Sequence, residues 1–290
     1  MPDIFDILSR WWKYIFLLVL ISVSTAAIIV FLKPSKYLAV ATALPAATYA
    51  SDNAGIFSEN LPLLYPNLGT PDDLDKIVGT SFLDTVYYFV SDEKMLTTYY
   101  GFKDENKTEA RQKSAAHLKR NTKVIKSDYG ELKVKAWDKD RNKAADLANA
   151  VLEKLQSINQ QVMNANNSLI LEQIKKEYVE KNREFKEVSD SIQRSPASNE
   201  KTIFIIKRDT LLQQLSQYEK LSGEYELMVK ANPQALITIE KARPALYPDK
   251  PKRLQVIVAT AVLSFIFAIF TILILERRKT NTGERPVTKG

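Results

Sequence analysis

The 290-residue sequence contains no cysteine, only one histidine (His117) and only 8 glycines. Without cysteine the chain has no disulfide, no thiolate metal ligand and no cysteine nucleophile. A single histidine excludes a multi-histidine zinc site and leaves one candidate for histidine-based acid–base chemistry. The few glycines form neither G-x-G-x-x-G nor G-x-x-x-x-G-K-[ST], so the common nucleotide-binding loops are missing. These absences exclude most familiar classes of enzyme.

Two long uncharged runs lie near the ends of the chain, from Tyr14 to Leu32 and from Leu254 to Leu275. As helices they would extend about 28 Å and about 33 Å, close to the hydrocarbon thickness of a bilayer. A cleaved signal peptide and a buried core helix are the alternatives for the two runs. Because a signal peptide has a shorter apolar core, we predict transmembrane helices at residues 14–32 and 254–275.

Residues typical of a membrane interface flank both runs. The flanking side chains are Trp11, Trp12, Lys13, Arg277 and Arg278. Aromatic and basic side chains of this kind settle at the level of the lipid headgroups. Of the basic residues close to the two runs, seven lie on the side of the termini and five on the side of the intervening domain. This weak bias favours cytoplasmic termini, residues 1–13 and 276–290, and a main domain on the opposite side of the membrane.

The charge of the intervening domain excludes nucleic acid as a partner. The stretch from Lys33 to Arg253 carries 34 basic and 30 acidic residues. It has no basic run with interleaved aromatic residues, which is the usual footprint of a nucleic-acid-binding surface. The net charge of the domain therefore does not indicate a polyanionic partner.

The pattern of apolar residues predicts an α+β domain between the two membrane helices. An α/β base is predicted at residues 33–138, a long protruding helical hairpin at 139–232, and a return strand with a proline-rich linker at 233–253. Strands are predicted at 37–44, 122–127, 131–136 and 234–240, and helices at 71–90, 109–120, 140–195 and 199–231. Residues 46–70, rich in proline, asparagine and serine, are predicted to be irregular.

The helical hairpin is too long for the core of a compact domain. Its first helix, residues 140–195, would extend roughly 84 Å, and its second, residues 199–231, roughly 50 Å. Two helices cover only one side of each other, so apolar side chains remain in contact with water. We therefore expect neighbouring copies of the chain to cover them in a homo-oligomer.

No catalytic, cofactor-binding or metal-binding residue is predicted. The clustered acids Asp72, Asp73, Asp75, Asp138 and Asp140 stand at helix starts, where capping is the favoured interpretation over metal binding or acid–base catalysis. His117 is expected on the surface of a polar helix. Four tyrosines offer faces on which sugar rings can stack, but packing is the favoured role for Tyr87, Tyr88, Tyr99 and Tyr100.

A proline-rich segment precedes the second membrane helix, with the motif residues Ala242, Pro244, Pro248, Pro251, Lys252 and Arg253. Three prolines fix φ and remove backbone donors, which gives a stiff connector. This segment resembles the A-x-x-P-x-x-P-x-x-P region of the Wzz polysaccharide co-polymerases, the chain-length determinants. Pro34 and Tyr37, after the first run, resemble the P-x-x-Y segment of that family. Residues Val124 to Asn149 are similar to its strand followed by a D-x-x-x-A-A-x-x-A-N helix.

The resemblance implies a non-enzymatic oligomeric scaffold in the bacterial inner membrane, with its main domain in the periplasm. It implies a polysaccharide polymerase as partner, and a growing glycan chain as a further candidate partner. The product would be O-antigen, capsule or exopolysaccharide. Two alternatives remain open, a transmembrane sensor with an extracytoplasmic ligand domain and a capsule-export component. The second run departs from the family because it contains no glycine, whereas family members often carry small-residue packing motifs there.

Overall fold

The computed structural model describes residues 4–46, 71–102, 106–194 and 198–283. The helices in these ranges are α1 (Ile4–Leu32), α2 (Pro71–Ser81), α3 (Asp84–Glu93), α4 (Leu96–Tyr99), α5 (Lys107–Arg120), α6 (Arg141–Arg194), α7 (Ser198–Ala231) and α8 (Arg253–Gly283). The strands are β1 (Tyr37–Pro45), β2 (Thr122–Lys126), β3 (Leu132–Asp138) and β4 (Leu236–Glu240). This is the α+β class that the sequence predicts.

The chain forms two units. We call the first the terminal unit, which comprises Met1–Ala39, Trp137–Ala144 and Pro244–Gly290. The second, the central unit, comprises Val40–Ala136 and Ala145–Arg243. The central unit contains most of the sheet, helices α2 to α5 and nearly all of the helical hairpin.

The sheet has four strands in the order β2-β3-β1-β4. Strands β2 and β3 form the predicted antiparallel hairpin, in which Val124 lies opposite Val134. Gly130 in the connecting turn has a φ of 76°, a conformation that glycine adopts without steric cost. Strand β4 pairs antiparallel with β1 across an irregularity between Thr42 and Ala43. The chain therefore returns to the sheet after the hairpin, as predicted.

Both helices of the long hairpin are confirmed, each within one residue of its predicted bounds. Helix α6 contains 54 residues and α7 contains 34. Asp140 caps α6, since its carboxylate accepts a hydrogen bond of 2.8 Å from the backbone N–H of Asn142. Pro196, which the sequence marks as the end of the first helix, lies outside the described residues, as do residues 47–70 of the segment 46–70 that is predicted to be irregular.

The prediction of one helix over residues 71–90 is wrong. The structure has two helices there, because Leu83 is extended, with φ −70° and ψ 131°. Gly79, Thr80 and Ser81, which are poor helix formers, precede the break and weaken the helix. Phe82 and Phe89, whose spacing of three to four residues from other apolar positions favours one continuous helix, are 67% and 54% exposed.

Two of the acids near the start of α2 form ion pairs. Asp75 of α2 accepts from Lys126 of β2 at 3.0 Å, which ties the helix to the edge of the sheet. Asp73 is buried and lies 3.4 Å from Lys76. The side chain of Asp72 is outside the described part of the chain.

Candidate functional site

In the terminal unit, the two apolar helices pack against each other in antiparallel fashion. Ile15, in the N-terminal half of α1, forms a buried cluster with Ala268 and Ile272 of α8. At the other end, the Arg253 guanidinium that begins α8 lies 4.7 Å from the centre of the Phe31 ring at the end of α1. The N-terminal half of α1 therefore lies beside the C-terminal half of α8.

The outer surface of this helix pair is apolar. The candidate spans are Ser9–Leu32 and Arg253–Leu275, and only 11% of each apolar stretch is buried. A core helix of a soluble protein would be mostly buried, so these helices need another apolar cover. Helix α8 does not end at Leu275 but continues to Gly283.

The predicted interface residues at the termini differ in their surroundings. Trp11 lies against the buried cluster of the helix pair, and its ring centre is 5.3 Å from that of Tyr14. Trp12, by contrast, is exposed, as is Lys13. Arg277 and Arg278 lie within α8, but their side chains are outside the described part of the chain.

The proline-rich linker is held by backbone hydrogen bonds to the segment that follows α1. Lys36 donates to the carbonyl of Lys250 at 2.8 Å, and Asp249 donates to the carbonyl of Lys36 at 2.8 Å. Pro34 precedes this pair and Tyr37 follows it at the start of β1, whereas Pro248 and Pro251 flank it on the linker. The two motifs that resemble the co-polymerase family therefore lie next to each other, at the ends of the two apolar helices.

Side chains strengthen this junction. The indole N–H of Trp137 donates to the Asp249 carboxylate at 2.7 Å. The Lys250 ammonium lies 3.8 Å from the centre of the same indole, and Arg253 donates to the hydroxyl of Ser35 at 3.1 Å. The sequence gives no signal for the Trp137 contacts, because this residue is 112 positions from Asp249.

In the central unit, side-chain amides of α6 hold the segment that returns from the hairpin. Asn149 donates to the carbonyl of Ala242 at 3.1 Å and accepts from its N–H at 2.8 Å. Gln156 accepts from the N–H of Leu236, and Gln160 donates to the carbonyl of Asn232 at 2.6 Å. We call Asn149, Gln156 and Gln160 the amide ladder. It brings two further family-like residues, Asn149 and Ala242, into contact.

Beyond Leu155 the helices of the hairpin bury few apolar side chains, and we call these the apolar seam. Its buried members are Ile174, Val188, Leu211 and Leu215. An ion pair of 2.6 Å between Lys175 and Glu226 joins the helices beside the seam, and it lowers the pKa of Glu226. Outside the seam, large apolar side chains remain exposed, namely Val162, Leu169, Val179, Ile203, Ile206, Leu212 and Leu227.

The remaining candidate chemical groups have structural partners. His117, expected on the surface, is half-buried, and its ring centre lies 4.2 Å from that of Tyr100. Tyr87 is buried, and burial, with a smaller contribution from Asp84, raises its pKa to about 12. Among the residues described, no group of three or more histidine, cysteine, aspartate or glutamate side chains is placed to hold a metal ion.

A groove of about 500 Å³ in the central unit lies beside α2 and α6. Asp73 and Lys76 line it together with the amides of Asn159 and Asn167. Thr80 hydrogen-bonds to Asn159 at 3.1 Å across this surface. The lining offers hydrogen bonds to a polar ligand, but its one carboxylate already has Lys76 as a partner.

No protein-family model and no curated protein matches the chain. Among solved structures, a full-length bacterial polysaccharide co-polymerase matches with 12% identity and a TM-score of 0.41, over 99% of this chain and 100% of that chain. A fragment of WzzB, a polysaccharide co-polymerase from Salmonella Typhimurium, matches with 12% identity and a TM-score of 0.30, over 74% of this chain and 100% of that chain. This chain is similar to two polysaccharide co-polymerases.

Proposed function

We propose that the protein is a polysaccharide co-polymerase of the bacterial inner membrane. It sets the chain length of a surface polysaccharide (O-antigen, capsule or exopolysaccharide) together with a polymerase, and it acts as an oligomeric scaffold without catalysing a reaction. Both termini lie in the cytoplasm and the main domain lies in the periplasm.

The order and contacts of the family-like motifs carry this proposal. Motifs that are far apart in the sequence lie in contact at two places. Backbone hydrogen bonds join Lys36 to Asp249 and Lys250. The side-chain amide of Asn149 forms hydrogen bonds with the backbone of Ala242. An accidental sequence match would give no reason for such pairs to touch. The exposed apolar side chains of the hairpin support self-association, because large apolar surfaces on soluble domains mark interaction sites.

The direct test is to delete the gene and separate the surface polysaccharides of the strain by gel electrophoresis. We expect one polysaccharide to lose its preferred length range and to regain it when the gene is restored. An unchanged length distribution for every surface polysaccharide would rule the proposal out. A polysaccharide that disappears from the surface, with its length unchanged, would instead identify the protein as a capsule-export component.

The orientation is tested with single cysteines, since the natural chain has none. Tyr129 is 87% exposed in the turn between β2 and β3, and Lys289 lies in the C-terminal tail. We expect a membrane-impermeant maleimide to label Tyr129→Cys in intact cells and Lys289→Cys only after lysis. Labelling of Lys289→Cys in intact cells would contradict cytoplasmic termini. The cysteine-free parent serves as the control for background labelling.

A further inference from the structure

Five basic residues surround the ends of the two apolar helices on the domain side. We call Lys33, Lys36, Lys250, Lys252 and Arg253 the basic collar. Lys33 directly follows α1, and Arg253 is the first residue of α8. The backbone hydrogen bond of 2.8 Å from Lys36 to Lys250 joins the two halves of the collar. The collar thus concentrates positive charge at one end of the helix pair.

Two cations of the collar are held by aromatic rings. Lys250 lies 3.8 Å from the centre of the Trp137 ring, and Arg253 lies 4.7 Å from that of Phe31. Within the described residues, no carboxylate forms an ion pair with either of them. A cation over a ring presents its remaining N–H groups away from the ring, so both can still donate to an anion.

Asp249, which lies beside the collar in the chain, offsets only one of its five positive charges. Asp249 precedes Lys250 in the chain, and its carboxylate accepts the indole hydrogen bond of Trp137 at 2.7 Å. Membrane targeting does not account for the collar either, because basic residues beside a span favour the cytoplasmic side. In the orientation proposed above, these residues lie on the opposite side. Their concentration there indicates an anionic ligand.

The linker also carries an apolar pair close to the collar. Leu246 and Tyr247 are 79% and 81% exposed, between Pro244 and Pro248. Tyrosine is enriched at the level of lipid headgroups, where its ring contacts acyl chains and its hydroxyl stays in water. An exposed apolar pair beside a group of cations matches the chemistry of a lipid, which has a hydrocarbon part and a charged headgroup.

We propose that the basic collar binds the phosphate headgroup of a membrane lipid. Arginine and lysine donate charge-assisted hydrogen bonds to phosphate oxygens, and these are stronger than hydrogen bonds between neutral groups. A phospholipid and a lipid with a diphosphate headgroup share this chemistry. The inference depends on the two-span topology in Proposed function and does not depend on the control of chain length.

The test measures lipid binding to the full-length protein by native mass spectrometry, at low ionic strength. The probes are phosphatidylglycerol, zwitterionic phosphatidylcholine and a polyprenyl diphosphate. The variant Lys33→Gln/Lys250→Gln/Lys252→Gln removes three cations of the collar, and the same three positions changed to arginine keep the charge. The matched control, Lys176→Gln/Lys207→Gln/Lys230→Gln, removes three exposed lysines from the hairpin.

We expect the wild-type protein to bind phosphatidylglycerol more tightly than phosphatidylcholine. The glutamine variant of the collar should lose on the order of 100-fold in affinity for phosphatidylglycerol. The arginine variant and the hairpin control should bind like the wild type. Tighter binding of the polyprenyl diphosphate than of phosphatidylglycerol would support a diphosphate lipid as the ligand, and equal binding would support phospholipid in general.

Two results would overturn the inference, namely equal affinity of the wild type for the two phospholipids, or undiminished binding by the collar variant. The lipid measurement is independent of the polysaccharide gel. An unchanged gel would therefore contradict the proposed function and leave the lipid result standing.

Discussion

The double substitution Leu169→Glu/Ile206→Glu is expected to convert the proposed oligomer into monomers. Leu169 of α6 is 65% exposed and Ile206 of α7 is 63% exposed. Each has an apolar neighbour on the same face of its helix, Val162 seven residues before Leu169 and Ile203 three residues before Ile206. Burial of one such side chain between copies contributes about 1.5–3 kcal/mol to the free energy of association. Burial of an unpaired carboxylate at the same place costs more than this gain.

The molar mass of the detergent-solubilised protein, measured by light scattering after gel filtration, checks this prediction. We expect the wild type to elute as an oligomer and the double variant as a monomer. In cells, the double variant should give the polysaccharide lengths of the deletion strain. Circular dichroism should show unchanged helix content, because exposed substitutions shift the free energy of unfolding of a single chain by only about 0.5 kcal/mol.

The matched control introduces the same two charges at polar positions of the same helices. Gln161 of α6 and Gln213 of α7 are already exposed. The variant Gln161→Glu/Gln213→Glu should keep the molar mass and the polysaccharide lengths of the wild type. If the Leu169→Glu/Ile206→Glu variant also keeps its full molar mass, these apolar faces do not hold the copies together.

The sequence predicts the longest elements best. Apolar residues recur every three or four positions along α6 and α7, and no proline interrupts either helix. Over 54 and 34 residues this period is repeated often enough to specify a helix without knowledge of the tertiary structure. The hairpin of β2 and β3 is predicted for a similar reason, because alternation and a turn glycine occur close together in the sequence.

Short elements depend on tertiary contacts and are predicted less well. The break at Leu83 and the four-residue helix α4 arise where the local propensity is weak. Met95, which precedes α4, has a φ of 51°, a conformation that is uncommon for this residue type. The packing around these residues, and not their own preference, therefore determines where the helices end.

The contacts of the candidate site leave no periodic signal in the sequence. Asn149 and Ala242 are 93 positions apart, and each is an ordinary residue in its own segment. The family resemblance marks both residues as members of motifs but does not show that they touch. Similarly, Tyr100 lies 17 positions before His117, so the sequence places the histidine on the surface although the ring of Tyr100 covers it.

The substitution Asn149→Ala is expected to destabilise the central unit and release the return segment. It removes the only hydrogen-bond partners that the described residues give to the backbone N–H and carbonyl of Ala242, which is buried. Because an unsatisfied buried group costs about 1–3 kcal/mol, we expect a loss of about 2–4 kcal/mol in the free energy of unfolding. Thermal denaturation of the full-length protein in detergent measures this loss.

Two further variants isolate the amide of Asn149 as the cause. In the variant Asn149→Asp the carboxylate still accepts a hydrogen bond from the Ala242 N–H. Its second oxygen, however, places a lone pair against the Ala242 carbonyl, which the amide N–H₂ contacted in the wild type. The stability of this variant should therefore lie between those of the wild type and Asn149→Ala. Asn166→Ala removes an exposed amide from the same helix and should change the free energy of unfolding by no more than about 0.5 kcal/mol. Equal melting temperatures for Asn149→Ala and Asn166→Ala would mean that the two hydrogen bonds between Asn149 and Ala242 do not hold the return segment.

The polysaccharide lengths separate a role in stability from a role in function. If Asn149→Ala lowers the melting temperature but leaves the polysaccharide lengths unchanged, the attachment of Ala242 is dispensable for the proposed activity. The two hydrogen bonds would then stabilise the fold without a part in chain-length control.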